Sequence, residues 1–218
     1  MMENAKPSQK PRSPAGDKAY HHGDLRQALL DAALGLVATE GVRGFTLREA
    51  ARAAGVSHNA PYRHFASRAD ILAALALEGQ ATLLQCLKDG MGQTANRKLR
   101  LEKLSIAYLE FATTHTAFFR VMFSPDVAAV QTPELQAAQK KTFACFVTEV
   151  EAAESDGTIR TGKVARFSLA GWSAMHGAAM LLIDRVLDRS PHPPGSQSPR
   201  DLARMVMGVL LEGMLARP

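Results

Sequence analysis

Between Leu25 and Phe65 short helix-forming patterns follow one another, each closed by a stop signal. This spacing allows little except small helices around a shared core. Leu25, Ala28, Leu29, Ala32, Ala33, Leu36 and Val37 recur at the i, i+3, i+4, i+7 positions of one helix face. Asp24 is placed to cap that helix, and Gly41 suits a left-handed residue past its end. Thr46 and Glu49 then stand at capping-box spacing, where each side chain satisfies a backbone N–H of the other residue. Leu47, Ala50, Ala51 and Ala54 form a narrow apolar stripe, and Gly55 stops it. Gly55-Val56-Ser57 is a three-residue turn of the helix-turn-helix kind. Ser57 is placed to cap a second short helix running from His58 to about Phe65, with Val56 and Pro61 at the positions of a hydrophobic staple. Ser67-Arg68-Ala69-Asp70 opens a longer helix that reaches about Lys88.

The rest of the chain carries helical periodicity at about 97–114, 116–123, 133–154, 163–188 and 200–216. Gly90-Met91-Gly92, Ser124-Pro125, Pro133 and Ser155-Asp156-Gly157 mark the breaks. β-branched alternation and internal repeats are absent, so the predicted fold is all-α with about nine helices. Residues 1–19 carry prolines, glycine, Lys6, Lys10, Arg12 and Lys18 without apolar periodicity, and read as a disordered basic tail. Arg189–Arg200 reads as a surface loop.

Hydrophobic residues make up 46% and charged residues 22% of the chain, the balance of a soluble globular protein that can bury a sizeable core. The formal net charge is +5, and its placement says more than its size. Arg43, Arg48, Arg52, Arg63 and Arg68 face one acid, Glu49, so the window 43–68 alone carries +4. A single arginine reads as a solvated cation, but this concentration points to a phosphate-facing surface. Cys86 and Cys145 sit among apolar residues and read as small core residues. No stretch approaches the ~18 apolar residues of a membrane span, and no signal peptide is evident, so a cytoplasmic location is expected. His21-His22 is a weak metal signal without supporting ligands, and no metal or cofactor is expected. The zinc, P-loop and nucleophile-elbow patterns of common enzymes are absent, which argues against catalysis.

The run from Gly23 to Leu77 resembles the tetracycline-repressor (TetR) family. The resemblance lies in Ala28-Leu29-Leu30-Asp31-Ala32-Ala33, in Gly41 through Ala51, in Ala54-Gly55-Val56-Ser57, in Pro61-Tyr62-Arg63-His64-Phe65 and in Arg68-Ala69-Asp70-Ile71-Leu72. Trp172-Ser173-Ala174-Met175-His176-Gly177 is similar to the Trp/His/Gly signature of one type of TetR C-terminal domain, and Tyr20-His21-His22-Gly23-Asp24 to the entry of the same subgroup. The resemblance implies a helix-turn-helix DNA-binding domain at 20–80, with the motif at 46–65, and a ligand-sensing and dimerisation domain at 81–218. It implies a homodimer in which the last two long helices pair across a two-fold axis. Pro61 departs from the family, where many members have leucine.

In a helix-turn-helix the second helix enters the major groove with its N-terminal residues on base edges. Here those residues are Ser57, His58, Asn59 and Ala60. Asn59 can pair with adenine and His58 with guanine or phosphate. The resemblance implies phosphate contacts from Tyr62 and His64. Arg43, Arg63 and Arg68 are expected to neutralise phosphates, with Thr46 at a helix N-terminus that also favours them. In the remainder, Tyr108, Phe111, His115, Phe119, Met122, Phe143, Phe146, Trp172, Met175 and His176 recur at helical spacing. Singly they read as core; as a group they read as the lining of an apolar cavity. Gly171 and Gly177 share one helix and read as points of close helix approach. The expected function is a dimeric repressor released from a palindromic operator by a small apolar or aromatic effector. The alternative is a constitutive DNA-binding regulator or activator without a switch.

Overall fold

Helix α1 (Leu25–Glu40) buries Leu29, Leu30, Ala33 and Val37 and turns Arg26, Gln27 and Asp31 outward, as its apolar periodicity requires. Gly41 closes it at φ 82°, with its N–H donating to the Val37 carbonyl at 3.0 Å. The computed structural model describes residues 25–189 and 198–214. The expected cap at Asp24, the 1–19 tail, the His21-His22 pair and most of the 189–200 loop lie outside them.

Helix α2 (Leu47–Ala53) opens on the full capping box. The Thr46 N–H donates to Glu49 Oε2 at 2.8 Å, and the Glu49 N–H donates to Thr46 Oγ1 at 3.3 Å. Its end is a Schellman turn: the Val56 N–H reaches the Ala51 carbonyl at 3.0 Å and the Gly55 N–H reaches Arg52 at 3.1 Å. Gly55 sits at φ 70°, where a side chain would be strained.

The second short helix differs from the expectation. It is one turn of 3₁₀ helix, Ala60–Arg63, not an α-helix from His58 to Phe65. Pro61 is the physical reason. An α-helix beginning at His58 needs the N–H of residue 61 to bond the Ser57 carbonyl, and proline has none. The Ser57 carbonyl instead accepts the Ala60 N–H at 2.9 Å, a bond of 3₁₀ type. The Ser57 hydroxyl therefore caps no helix; the cap position falls at Asn59, without a side-chain bond. Pro61 is buried and Val56 packs on the edge of the core.

Helix α3 (Arg68–Met91) starts on a second capping box, Ser67 with Asp70. It passes the stop expected at Gly90 and ends at Gly92, φ 57°. Gly90 serves packing: a Cβ there would lie 2.6 Å from Ala107 Cβ. By length and composition α3 could cross a membrane, which corrects the reading that no stretch approaches a span. Half of its apolar stretch is buried inside the fold, as in a core helix.

The chain continues through α4 (Arg97–Thr114), α5 (Thr116–Met122), α6 (Pro125–Ala128), α7 (Pro133–Ser155), α8 (Val164–Ile183) and α9 (Pro199–Met214), giving nine α-helices among the described residues. The all-α prediction holds. Helix α6 forms where only a break was read. Ser124-Pro125 ends one helix and starts another, with Ser124 Oγ accepting the Val127 N–H at 3.2 Å. Helix α8 stops at Ile183, short of 188, because Arg185 adopts a positive φ of 55°.

Helix α3 packs on α4, α5 and α7, α4 packs on α8 and α9, and α1 touches both α2 and α5. One apolar core runs from Leu29, Phe45 and Phe65 through Ile71 and Leu75 to Leu83, Phe111 and Phe119. The expected division near residue 80 thus falls inside α3, which belongs to both parts. Arg100 grips Glu149 with two bonds, 2.6 and 2.5 Å, and ties α4 to α7. Cys86 and Cys145 are free thiols, and burial raises the pKa of each.

Candidate nucleic-acid interface and core cavities

The turn after α2 and the 3₁₀ helix present Ser57, His58, Asn59, Arg63 and His64 as exposed side chains, with Tyr62 52% exposed. The buried residues of the same segment, Pro61 and Phe65, anchor it to the core. Ala60 is half-buried. The polar set read from the sequence is therefore one continuous exposed edge, held from beneath by Leu47, Ala50 and Ala51.

Two of the expected phosphate contacts are engaged elsewhere. Both donors of Thr46, its N–H and its hydroxyl, go to Glu49 Oε2 at 2.8 and 2.9 Å. These bonds hold the Glu49 carboxyl below its ordinary pKa, the hydroxyl contributing most, so an anion already occupies that helix end. Arg68 is half-buried. Its guanidinium bonds the Val42 carbonyl and Asp126 Oδ1, the latter at 3.2 Å, and lies 5.2 Å from the centre of the Phe45 ring. Its Nε is buried without a hydrogen-bond partner. Arg43, with a side chain 81% exposed and 3.7 Å from Asp126, remains free to reach outward.

Two cavities lie deeper. The first, about 520 Å³, opens between α3, α4, α7 and α8. Six of the residues expected to line a cavity line this one: Tyr108, Met122, Phe143, Phe146, Trp172 and Met175. Phe111 and Phe119 are fully buried core residues, and His115 stands at the α4–α5 junction against Phe111. The sequence reading missed the polar lining, Gln80, Ser105, Gln139 and Thr142. A polar Gln80 on the apolar stripe Leu72, Ala76, Leu83 and Leu87 was the available signal. Gly171 accommodates the Phe146 ring, since a Cβ there would lie 2.9 Å from Phe146 Cζ, whereas Gly177 faces open space.

The second cavity, about 730 Å³, lies between the end of α1, the 41–43 turn, α5, α6 and α8. Val42, Arg43, Asp126, Phe119 and His176 line it, and Phe123 lines both cavities. Tyr108 and His176 also join the two, with the hydroxyl 3.0 Å from His176 Nδ1. Burial raises the pKa of Tyr108 far above its ordinary value, and the Trp172 indole N–H counters this in part. Burial lowers the pKa of His176. The neutral imidazole can then accept the Tyr108 proton at Nδ1, while its ring stacks on Phe119 at 5.3 Å.

Comparison with known proteins agrees with this architecture. The family model for bacterial regulatory proteins of the tetR family matches residues 29–75, and that for the tetracyclin repressor-like C-terminal domain matches residues 101–208. Together they cover more than two thirds of the chain. A protein of unknown function from Rhodococcus sp. RHA1 superposes at a TM-score of 0.78 with 29% identity, over 92% of this chain and 100% of that one. A TetR family transcription regulator from Marinobacter aquaeolei VT8 superposes at 0.68 with 15% identity, over 89% and 97% of the two chains. The regulator FadR from Bacillus subtilis, solved with stearoyl-CoA, superposes at 0.70 with 15% identity, over 86% and 98%. No curated protein matches. The chain belongs to the tetR family: it is a helix-turn-helix DNA-binding transcription regulator, not an enzyme, with a tetracyclin repressor-like C-terminal domain.

Proposed function

We propose that the protein is a dimeric repressor that reads a palindromic operator through Ser57–His64 and leaves it when a small apolar molecule enters the first cavity. The observation that carries the reading is the cavity itself, lined by aromatic rings and joined by Phe123 and by the Tyr108–His176 bond to the side chains around Asp126. A molecule seated against Tyr108 and Phe123 displaces groups that also border Val42, Arg43 and Asp126, where α3 meets the DNA reader. Release then follows if the ligand prefers the arrangement that fits the operator less well. The FadR structure with stearoyl-CoA supports a ligand-responsive core in a protein of this shape.

Two readers must sit about one helical turn (~34 Å) apart to occupy successive major grooves. Exposed apolar side chains on α8 and α9 support pairing of two copies: Leu169 is 57% and Val209 68% exposed, and Leu181, Met180 and Met205 are exposed too, with Leu169 and Met180 also lining the two cavities. Trp172 at the cavity mouth and His176 on the Tyr108 hydroxyl support reading the Trp/His/Gly run as the signature of a C-terminal domain type. The functional division follows: a DNA reader over 20–80 and a sensing and pairing domain over 81–218, coupled by α3. A gel-shift titration on genomic fragments tests the reading. At ~100 mM salt, where phosphate contacts still hold, at least one fragment is bound above background, and Asn59→Ala weakens that binding; binding of every fragment at one background level refutes it.

A further inference from the structure

From the chemistry of the first cavity we infer the class of its ligand: an uncharged, largely apolar molecule carrying one hydroxyl or carbonyl group, and neither an anion nor a cation. The inference rests on the reading of this cavity as an effector site. Among the described residues, no Asp, Glu, Lys, Arg or His lines the cavity. Its polar groups are two carboxamides, three hydroxyls and the Trp172 indole N–H, which the Tyr108 oxygen engages. The hydroxyl protons are already engaged: Ser105 donates to the Leu101 carbonyl at 2.9 Å, Thr142 donates to the Ala138 carbonyl at 3.0 Å, and Tyr108 pairs with His176.

The carboxamides are different. Gln80 is 5% exposed, yet no side-chain hydrogen bond among the described residues holds its amide, and the same is true of Gln139. The Gln80 amide faces the cavity without a side-chain partner in the protein, so its bonding capacity is left for whatever fills the cavity, and Gln80 favours an occupant that bonds it. A carboxamide donates and accepts, and thus matches a hydroxyl or a carbonyl. A carboxylate or ammonium would lose its hydration, at an effective cost of several kcal/mol, without a counter-ion. The rings of Tyr108, Phe143 and Trp172 offer a cation only about 0.5–2 kcal/mol, which does not offset that loss. Gln80 lies on α3, the helix whose first turn holds Arg68, so the anchoring group sits on the element that connects both parts of the fold.

The chain contains one tryptophan, and it lines this cavity, so Trp172 emission reports occupancy directly. The experiment uses the full chain near neutral pH, with emission and calorimetry as parallel readouts. Two matched series serve as probes: adamantanemethanol, adamantanecarboxylate and adamantanemethylamine, and decanol, decanoate and decylamine. The alcohol of each series is expected to bind roughly tenfold or more tightly than its charged counterparts. Gln80→Leu with Gln139→Leu is expected to weaken the alcohols roughly threefold or more and to leave bare adamantane unchanged. A carboxylate or amine binding as tightly as its alcohol overturns the inference while the cavity remains a ligand site. Silence of every compound by both readouts overturns the ligand-site reading and this inference with it.

Discussion

Arg68, in the first turn of α3, lies 3.2 Å from Asp126, at the start of α6, and the same guanidinium bonds the Val42 carbonyl at the start of the α1–α2 turn. One side chain thus holds together the DNA reader, the connecting helix and the sensing core. Arg68 and Asp126 are each about three-quarters buried, at 27% and 25% side-chain exposure. Replacing Asp126 with Ala leaves Arg68 with a single polar partner in a largely buried site. The expected cost is about 1–3 kcal/mol of stability, read as a lower urea midpoint at unchanged slope. Arg43→Ala is expected to leave the midpoint unchanged, because its side chain is mostly in solvent. It should instead weaken DNA binding and reduce the salt slope by about 1.

Direct readout belongs to the exposed edge before the 3₁₀ turn. His58→Ala and Asn59→Ala are each expected to cost about 1–3 kcal/mol of operator affinity with helical circular dichroism unchanged. Affinity for unrelated DNA should stay nearly constant, since phosphate contacts carry it. Equal losses on operator and unrelated DNA would contradict the assignment.

Pairing of two copies through α8 and α9 has a simple test. Light scattering is expected to give twice the 23.5 kDa chain mass for the wild type. Val209→Asp with Leu181→Glu places two charges among these exposed apolar side chains and should give the monomer mass. The far-ultraviolet spectrum should not change, as neither side chain is buried.

The His176 imidazole is kept neutral by burial, which lowers its pKa below the ordinary 6.5. The unfolded chain therefore binds a proton that the folded chain resists. The His176 contribution to stability is present above about pH 6.5 and declines as pH falls below it, toward the lowered folded value. Protonation also removes the Nδ1 acceptor from Tyr108. The melting temperature of the wild type should fall between about pH 6.5 and 5 more steeply than that of His176→Gln; parallel curves would contradict this.

How far the sequence foretold the molecule depended on the range of each interaction. The Thr46–Glu49 and Ser67–Asp70 boxes and the Gly41 and Gly55 stops act within a few residues, and the structure has them where the sequence placed them. Pro61 was visible as an anomaly, but the loss of an α-helical turn followed only from which carbonyl took the Ala60 N–H. Arg68 and Asp126 are 58 residues apart, so the charge window at 43–68 could not reveal that one of its arginines faces inward. The cavity's aromatic lining was readable from periodicity. Gln80 left a signal, a polar residue on an apolar stripe, but Gln139 did not, since the two line one cavity only when α3 and α7 pack together.

Selection from random double-stranded DNA with the full chain tests the central claim most directly. The account predicts an enriched two-fold-symmetric sequence with half-sites about one helical turn apart, lost when His58 and Asn59 are both replaced by Ala. Enrichment of no sequence, or of the same sequence by the doubly substituted protein, would contradict it.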